Sequence, residues 1–481
     1  MYKIILILSL LITNLSFSSK AQKTESKKLI DLAQQQSRLR NYKSALNLYN
    51  QAAELEPNNH LIYYYRASAK ASLSDFNGAI EDYNRVIALD YSMAGVSYFY
   101  RAFTHYMMGH YESSLIDYNK AIDHNYKDKE VYYRRGITKN VLSKFNPAIQ
   151  DFNIALSIDS TFSKAYENRA ISKFYLDDFK GALEDYNIAL KFPPNESDLY
   201  SSIGIVYDNL DEYQKAIENY NIAIYLNPHD PDVFINRGKS KRKIKDFEGA
   251  LIDCNKAILL DSTNHQSFLN RALIKQDQGN PTGAILDLTK AIDLKPSYVE
   301  AYLHRASIKD LSKDYKSASK DYSIAIDLTP NDFRIYYNRA ICRTRLEQLD
   351  SAILDYTKSI EIESSSKNAN SFNNRGILRN QQGNYTEAIK DFNTAIDLNG
   401  SNPAYAYNNR AFSKYKLGQN KEALIDSDLS LDIDPSNSYA YYYRALIYIE
   451  LDKDACPYFK KAKKLNYPEV ELDDLIKKHC E

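Results

Sequence analysis

The chain has 481 residues, of which 44% are hydrophobic and 26% are charged. This apolar fraction is too high for an intrinsically disordered protein. The 62 Lys and Arg residues balance the 62 Asp and Glu residues, so the chain lacks the positive excess expected for binding nucleic acid or an anionic membrane surface. Glycine (14) and proline (13) are scarce, which favours a mostly helical chain with short turns.

The N-terminus has the pattern of a secretory signal peptide, predicted over residues 1–21. Lys3 precedes a short apolar stretch, and Ser19-Lys20-Ala21 offers a small-x-small cleavage site. The alternatives are a buried helix or an uncleaved anchor, although the stretch is short for spanning a bilayer. The sequence has no cysteine near the cleavage site, so we do not expect a lipoprotein anchor. We therefore expect export to a bacterial periplasm or the extracellular space, with no membrane insertion after cleavage.

From about residue 26 onward, one block recurs along the chain. Each unit has an aromatic residue, then Arg three positions later, then Ala or Gly, followed by an Ala-Ile/Leu-x-Asp-Tyr/Phe-Asn block. The Arg residues are spaced by 34 residues, with a few gaps of 35 or 36 and one double gap of 68 around Ile203. They are Arg66, Arg101, Arg135, Arg169, Arg237, Arg271, Arg305, Arg339, Arg375, Arg410 and Arg444. Self-similarity at this period predicts a solenoid of stacked helical hairpins.

Each unit is predicted to form two helices, here called helix A and helix B. The aromatic residue, the Arg and the Ala or Gly share one face of helix A, and a recurring Ala on helix B lets the two helices approach closely. The predicted repeats are 26–59, 60–94, 95–128, 129–162, 163–196, 197–230, 231–264, 265–298, 299–332, 333–368, 369–403, 404–437 and 438–466. A charged capping helix is predicted over residues 467–481.

The repeats resemble the tetratricopeptide repeat family over about residues 26–466, nearly the whole mature chain, and the repeat array is assigned to residues 22–466. One unit shows the pattern at Tyr166, Arg169, Ala170, Phe179, Ala182, Tyr186, Ala189 and Pro194. The chain departs from the family pattern by using Tyr or Phe where Trp is common, and Arg where Leu is common. The resemblance implies an all-α, right-handed superhelical solenoid of helix-turn-helix repeats that offers a binding surface.

An Asp on helix B follows the Arg of helix A by sixteen residues in most units. Examples are the pairs Arg169/Asp185, Arg271/Asp287 and Arg339/Asp355. Where the Arg is replaced by Ile203, the Asp is replaced by Asn219, so the charges disappear together. This pattern predicts structural ion pairs inside each hairpin, and the alternative is a basic groove that binds anions.

The residue before the Arg is often Asn, and these side chains are predicted to lie on the concave face. They are Asn168, Asn236, Asn270, Asn338, Asn374 and Asn409. The row resembles the asparagine ladder of the O-linked N-acetylglucosamine transferases, which implies that the amides bind the backbone of an extended peptide. An amide donates and accepts hydrogen bonds at once, as a peptide group requires. The alternative is a row of polar residues on a solvated helix face.

Aromatic clusters mark the early units, and Tyr64, Phe99 and Tyr133 are candidate groove residues within them. Exposed Tyr gives large contact area at low entropic cost. The alternative role for these rings is packing between repeats.

Near the C-terminus, Cys456 and Cys480 flank the last predicted hairpin. Antiparallel helices would bring them together, so a disulfide is predicted for an oxidising compartment, with two free thiols as the alternative.

The eight His residues show no metal-ligand spacing, and no nucleophile or phosphate-binding motif occurs. We therefore predict no catalytic residue, no metal and no cofactor.

These observations predict a non-catalytic scaffold or adaptor of the cell envelope that binds a protein or an extended peptide in its concave groove. Two alternatives remain open. One is a structural envelope protein that self-associates, and the other is the regulatory subunit of a separate envelope enzyme. The oligomeric state and the partner are not determined by the residues.

Overall fold

The computed structural model describes residues 21–193, 197–398, 403–468 and 472–480. The predicted signal peptide lies outside the described residues, except for Ala21. The described residues contain no strand, and their helices follow one another in repeating pairs. The predicted all-α array of helical hairpins is therefore confirmed. The chain divides into two compact units, Met1–Ile244 and Lys245–Glu481.

The first unit contains thirteen α-helices among its described residues. They are α1 (21–38), α2 (Tyr42–Leu55), α3 (His60–Ser72), α4 (Phe76–Leu89), α5 (Ala94–Met107), α6 (Tyr111–Asp123), α7 (Lys129–Val141), α8 (Phe145–Ile158), α9 (Ser163–Phe174), α10 (Phe179–Ala189), α11 (Ser197–Asn209), α12 (Tyr213–Leu226) and α13 (Pro231–Lys243). A short 3-10 helix, Tyr91–Met93, precedes α5. Odd-numbered helices carry the helix A pattern and even-numbered helices carry the helix B pattern.

The second unit continues the same alternation. Its helices are α14 (Phe247–Leu260), α15 (His265–Asp277), α16 (Pro281–Leu294), α17 (Val299–Leu311), α18 (Tyr315–Leu328), α19 (Phe333–Arg345), α20 (Leu349–Ile362), α21 (Ala369–Gln381), α22 (Tyr385–Asp397), α23 (Pro403–Lys416), α24 (Asn420–Ile433), α25 (Ser438–Glu450), α26 (Cys456–Lys464) and α27 (Leu472–Cys480). A 3-10 helix, Ser366–Asn368, precedes α21. Within each unit, a helix packs mainly against its neighbours in chain order, as expected for a repeat array.

The turns between helices A and B use left-handed backbone conformations. Gly109 and Gly279 end their A helices with φ of 77° and 73°, the conformation that glycine adopts without a steric penalty. Other hairpins place Ser74 or Ser143 at the same point, with φ of 64° and 56°. The turn geometry is therefore retained where the sequence does not provide glycine.

The core of each hairpin forms where the small residue of helix B meets helix A. Ala284 on α16 is completely buried, in a cluster with Phe268 and Ala272 of α15 and with Leu288 one turn further along. Because a small side chain sets the separation of the two helices, there is no space for added methyl groups.

Replacing Ala284 with leucine is expected to lower the free energy of unfolding of the second unit by about 1–3 kcal/mol through overpacking. Chemical denaturation followed by circular dichroism measures this change. Leu286 on the same helix is 67% exposed, so Leu286→Ala serves as the control and should change stability little. Equal effects of the two substitutions would contradict the close helix approach.

The last hairpin is closed by α27 and by a disulfide. Cys456 at the start of α26 is bonded to Cys480 at the end of α27, with a Cα–Cα distance of 5.1 Å. Leu472 is buried in a cluster with Phe459 of α26 and Tyr442 of α25. The predicted bridge is thus present, and α27 covers an apolar face of the α25–α26 hairpin.

Candidate functional site

The repeated Arg and Asp side chains meet inside the hairpins, as the sequence predicts. Arg169 Nε lies 2.8 Å from Asp185 Oδ2, and its Nη2 lies 2.6 Å from Oδ1. The same two-pronged contact joins Arg271 to Asp287 and Arg339 to Asp355. Each carboxylate is almost completely buried. Such planar, bidentate pairing gives the carboxylate a fixed geometry.

A second cation contacts each of these carboxylates. Lys173 Nζ lies 2.8 Å from Asp185, Lys275 Nζ lies 2.7 Å from Asp287, and Arg343 Nη1 lies 2.8 Å from Asp355. We call each set of two cations and one carboxylate a triad. A triad keeps one net positive charge. The structural ion-pair interpretation therefore describes the contacts, but it does not make the hairpin interior neutral.

The arginines also connect successive hairpins. Arg169 Nη1 donates to Asn153 Oδ1 at 2.6 Å, and Asn153 belongs to the preceding B helix. Arg271 bonds Asn255 in the same way at 2.7 Å, whereas Arg339 bonds the Ser323 hydroxyl at 3.0 Å. Each guanidinium therefore holds two B helices in register. The sequence interpretation missed this role, although the Asn of the Asp-Tyr/Phe-Asn block signals it.

The hairpin of α11 and α12 lacks the triad and uses a different polar contact. Ile203 is buried where other hairpins have Arg. Asp208 accepts hydrogen bonds from Tyr220 Oη at 2.7 Å and from Ser240 Oγ at 2.6 Å. Burial raises the pKa of Asp208 above its ordinary value. This hairpin shows that the fold accommodates an uncharged version of the site.

Hydrogen bonds between successive A helices were also missed from the sequence. Ser240 of α13 bonds Asp208 of α11, Ser172 bonds Asn140 at 2.8 Å, and Ser413 bonds Asn380 at 2.8 Å. In each case the polar residue lies five positions after the repeated Arg, or after Ile203 at the same position of α11, and it meets a Ser three positions after the next repeated Arg. These bonds fix the spacing between neighbouring A helices, and hence the width of any cleft between them.

The six predicted asparagines differ in how much of the side chain is accessible. Asn270 is 6% exposed and donates to Gln266 O at 2.8 Å. Asn168 donates to Lys164 O at 2.9 Å, and Asn236 accepts from Lys239 at 3.4 Å. Asn409 donates to Asn373 Oδ1 at 3.1 Å. All except Asn270 are partly exposed. Only part of the row therefore offers its amides to a ligand.

A cleft of about 410 Å³ opens between α19 and α21 and is lined by one of these asparagines, Asn374. Its other lining residues are Ile341, Thr344, Arg345, Tyr356, Ile377 and Leu378. Asn374 Nδ2 contacts the hydroxyl oxygens of Tyr337 and Tyr356, each at 3.4 Å. Burial raises the pKa of Tyr356 to about 12, so its hydroxyl stays protonated at neutral pH. This α19–α21 cleft combines apolar walls with amide and hydroxyl groups, as ligand sites commonly do.

In the first unit, a smaller cleft of about 70 Å³ occupies the same repeat register, between α5 and α7. It is lined by Phe103, Tyr106, Tyr118, Arg134 and Ile137. Arg134 lies one position before the repeated Arg135, just as Asn374 lies one position before Arg375. The recurrence places a cleft between neighbouring A helices in both units.

The three aromatic residues predicted to line the groove differ in how much of the side chain is exposed. Phe99 and Tyr133 are buried, and Tyr133 packs against Phe162 with ring centroids 4.8 Å apart. Tyr64 is half-buried, and the centroid of its ring lies 5.3 Å from that of Tyr65 and 5.8 Å from that of Tyr100. Tyr100 is 36% exposed. The alternative of packing between repeats therefore describes Phe99 and Tyr133, whereas Tyr64 and Tyr100 also present surface.

Two further cysteines lie outside the disulfide. Cys254 and Cys342 are both buried. Burial, together with the nearby carboxylate of Asp310, raises the pKa of Cys342 to about 12.

Across the described ranges, no cluster of three or more His, Cys, Asp or Glu is placed to hold a metal ion. In the same ranges, no helix has the length and apolar character needed to cross a bilayer.

Comparison with protein families gives matches to models described as tetratricopeptide repeat. They cover residues 30–92, 197–230, 265–298, 333–366 and 369–402. No curated protein matches the chain.

Comparison with solved structures also gives matches. A tetratricopeptide repeat protein from Parabacteroides merdae is 21% identical, with 52% of this chain and 99% of that chain covered and a TM-score of 0.39. YrrB, described as a protein with an unusual peptide-binding site, is 23% identical over 38% of this chain and 95% of its own, with a TM-score of 0.33. A hetero-tetramer of the APC/C gives 14% identity, 97% and 99% coverage, and a TM-score of 0.41.

Proposed function

This chain belongs to the tetratricopeptide repeat family, and we propose that it is a non-catalytic scaffold that binds an extended segment of a partner protein along the A helices of its second unit. The repeat architecture supports a role in protein–protein interaction, because stacked hairpins present a long continuous surface.

The α19–α21 cleft carries the proposal. It brings the amide of Asn374, the Tyr356 ring and the apolar side chains of Ile341 and Ile377 to one surface. The internal contacts of Asn374 are long, at 3.4 Å to the two tyrosines, and therefore weak. A peptide group could replace them with shorter bonds. Asn338 and Asn409 occupy the same register on α19 and α23, so an extended backbone could meet one amide per repeat.

The setting of this function is proposed from the N-terminal residues. A cleaved signal at 1–21 would deliver the scaffold to the periplasm or the extracellular space. The disulfide between Cys456 and Cys480 is consistent with an oxidising compartment. Fractionation of cells expressing the full chain, with N-terminal sequencing of the processed protein, tests both the export and the cleavage site.

Replacing Asn338, Asn374 and Asn409 together with alanine is expected to weaken peptide binding by about tenfold to two-thousandfold, because three lost bonds of roughly 0.5–1.5 kcal/mol each cost about 1.5–4.5 kcal/mol together. A peptide array identifies binding sequences, and fluorescence anisotropy measures their dissociation constants. Asn331→Ala with Asn384→Ala is the control, since both residues are exposed outside the cleft. Unchanged affinity in the triple variant would remove the asparagine row from the site.

A further inference from the structure

We propose that the segment bound along α19, α21 and α23 is acidic. This inference rests on the proposed function and names the chemistry of the partner. It comes from the distribution of charge between the two helix layers of the second unit.

The three A helices of this region carry cations and no carboxylate. Their charged residues are Arg334, Arg339, Arg343 and Arg345 on α19, Arg375 and Arg379 on α21, and Arg410, Lys414 and Lys416 on α23. The three paired B helices carry the acids. These are Asp350, Asp355 and Glu361 on α20, Glu387, Asp391 and Asp397 on α22, and Glu422, Asp426, Asp428 and Asp432 on α24. The two helix layers therefore have opposite charge, although the whole chain is neutral.

The triads do not cancel the positive charge of the A layer. Asp355, Asp391 and Asp426 are each shared by two cations. Each triad therefore keeps one excess positive charge. Such fixed charge, partly shielded from water, extends a favourable potential towards an approaching anion.

Two further cations are available for direct contact. Arg345 is exposed, lines the α19–α21 cleft with Asn374, and forms no ion pair with a described residue. Lys416 is exposed, with its Nζ 5.4 Å from the centroid of the Phe412 ring. Arg334 is also exposed but pairs with Asp332 at 2.6 Å. Arg345 and Lys416 are thus the cations we assign to the ligand.

Carboxylates on the neighbouring A helices bracket this basic stretch. Asp310 lies on α17, where it accepts the Cys342 thiol at 3.5 Å, and Glu450 ends α25. An acidic segment would therefore be favoured over α19–α23 and disfavoured beyond either end. Charge complementarity of this kind sets the position and specificity of a partner.

The ligand class follows from the walls of the cleft. Ile341, Ile377 and Leu378 provide apolar surface next to Asn374 and Arg345. A protein segment that alternates acidic and apolar side chains matches both features. A nucleic acid would use the cations, but it would leave the apolar wall and the asparagine amides unused.

The test measures binding of fluorescein-labelled peptides to the full chain by fluorescence anisotropy. One set of peptides alternates Asp or Glu with apolar residues, and the matched set has Asn or Gln at the acidic positions. We expect the acidic set to bind at least about tenfold more tightly, from charge-assisted bonds to Arg345 and Lys416, and to lose this advantage as ionic strength rises.

The variant Arg345→Gln/Lys416→Gln should lose the preference for acidic peptides and still bind the neutral set. The matched control is Lys358→Gln/Lys390→Gln, which removes the same charge from the B layer, where both lysines pair with exposed glutamates. Equal affinity for the two peptide sets would overturn the acidic preference alone. Binding of neither set would overturn the proposed function with it, and tighter binding of a single-stranded oligonucleotide would assign the surface to another ligand.

Discussion

Replacing Asp355 with asparagine is expected to destabilise the second unit by about 3–5 kcal/mol, because the change leaves two guanidinium groups in a shielded site without their carboxylate. Asp355 is 4% exposed and contacts Arg339 at 2.6 Å and Arg343 at 2.8 Å. Burial already lowers the pKa of Arg343, and the Asp355 carboxylate opposes the repulsion from Arg339. Urea denaturation followed by circular dichroism measures the loss.

Two controls separate the cost of broken pairing from that of simple charge removal. Glu361→Gln on the same helix removes an exposed partner of Lys358 and should change the free energy of unfolding by no more than about 0.5 kcal/mol. The triple variant Arg339→Ile/Arg343→Tyr/Asp355→Asn copies the uncharged residues that occupy the triad positions of the α11–α12 hairpin, Ile203, Tyr207 and Asn219. It should recover most of the lost stability. A triple variant as unstable as the single one would contradict the triad interpretation.

Replacing Cys480 with serine is expected to release α27 at a local cost of about 3 kcal/mol, the loss of chain-entropy restraint for a loop of this size. The bridge joins residues separated by 24 positions. A nine-residue helix is marginal by itself, and α27 buries only Leu472 fully. Hydrogen exchange should become faster in α26 and α27. More distant hairpins should be unaffected, because in a repeat array each unit depends on its neighbours.

A reductant should reproduce this effect in the unmodified chain and have no further effect on the Cys480→Ser variant. Lys478→Ser, an exposed change on the same helix, controls for substitution alone. Unchanged exchange in α27 after reduction would show that apolar contacts hold the helix without the bridge. Because Leu475 and Ile476 are only partly buried, we expect the bridge to dominate.

Some contacts of the candidate site could be predicted from the sequence and others could not, for physical reasons. The Arg–Asp contacts could be predicted because each unit repeats both residues at a fixed separation. The second cation lies in the same hairpin as its carboxylate, four positions after the Arg. The Arg–Asn bond to the preceding hairpin, in contrast, required knowing how neighbouring hairpins stack. Asn270 and Asn374 occupy the same position in their repeats, directly before the repeated Arg. One is nevertheless buried against its own helix, and the other borders a cleft.

The sequence by itself determined the helical hairpins, their order and the pairing inside each one, because these depend on contacts that recur at a constant interval along the chain. Only the tertiary structure decided which side chains remain accessible. Access depends on how the particular side chains of adjacent hairpins fill the space between them. Phe99 and Tyr133 are therefore covered, whereas Arg345 lines an open cleft.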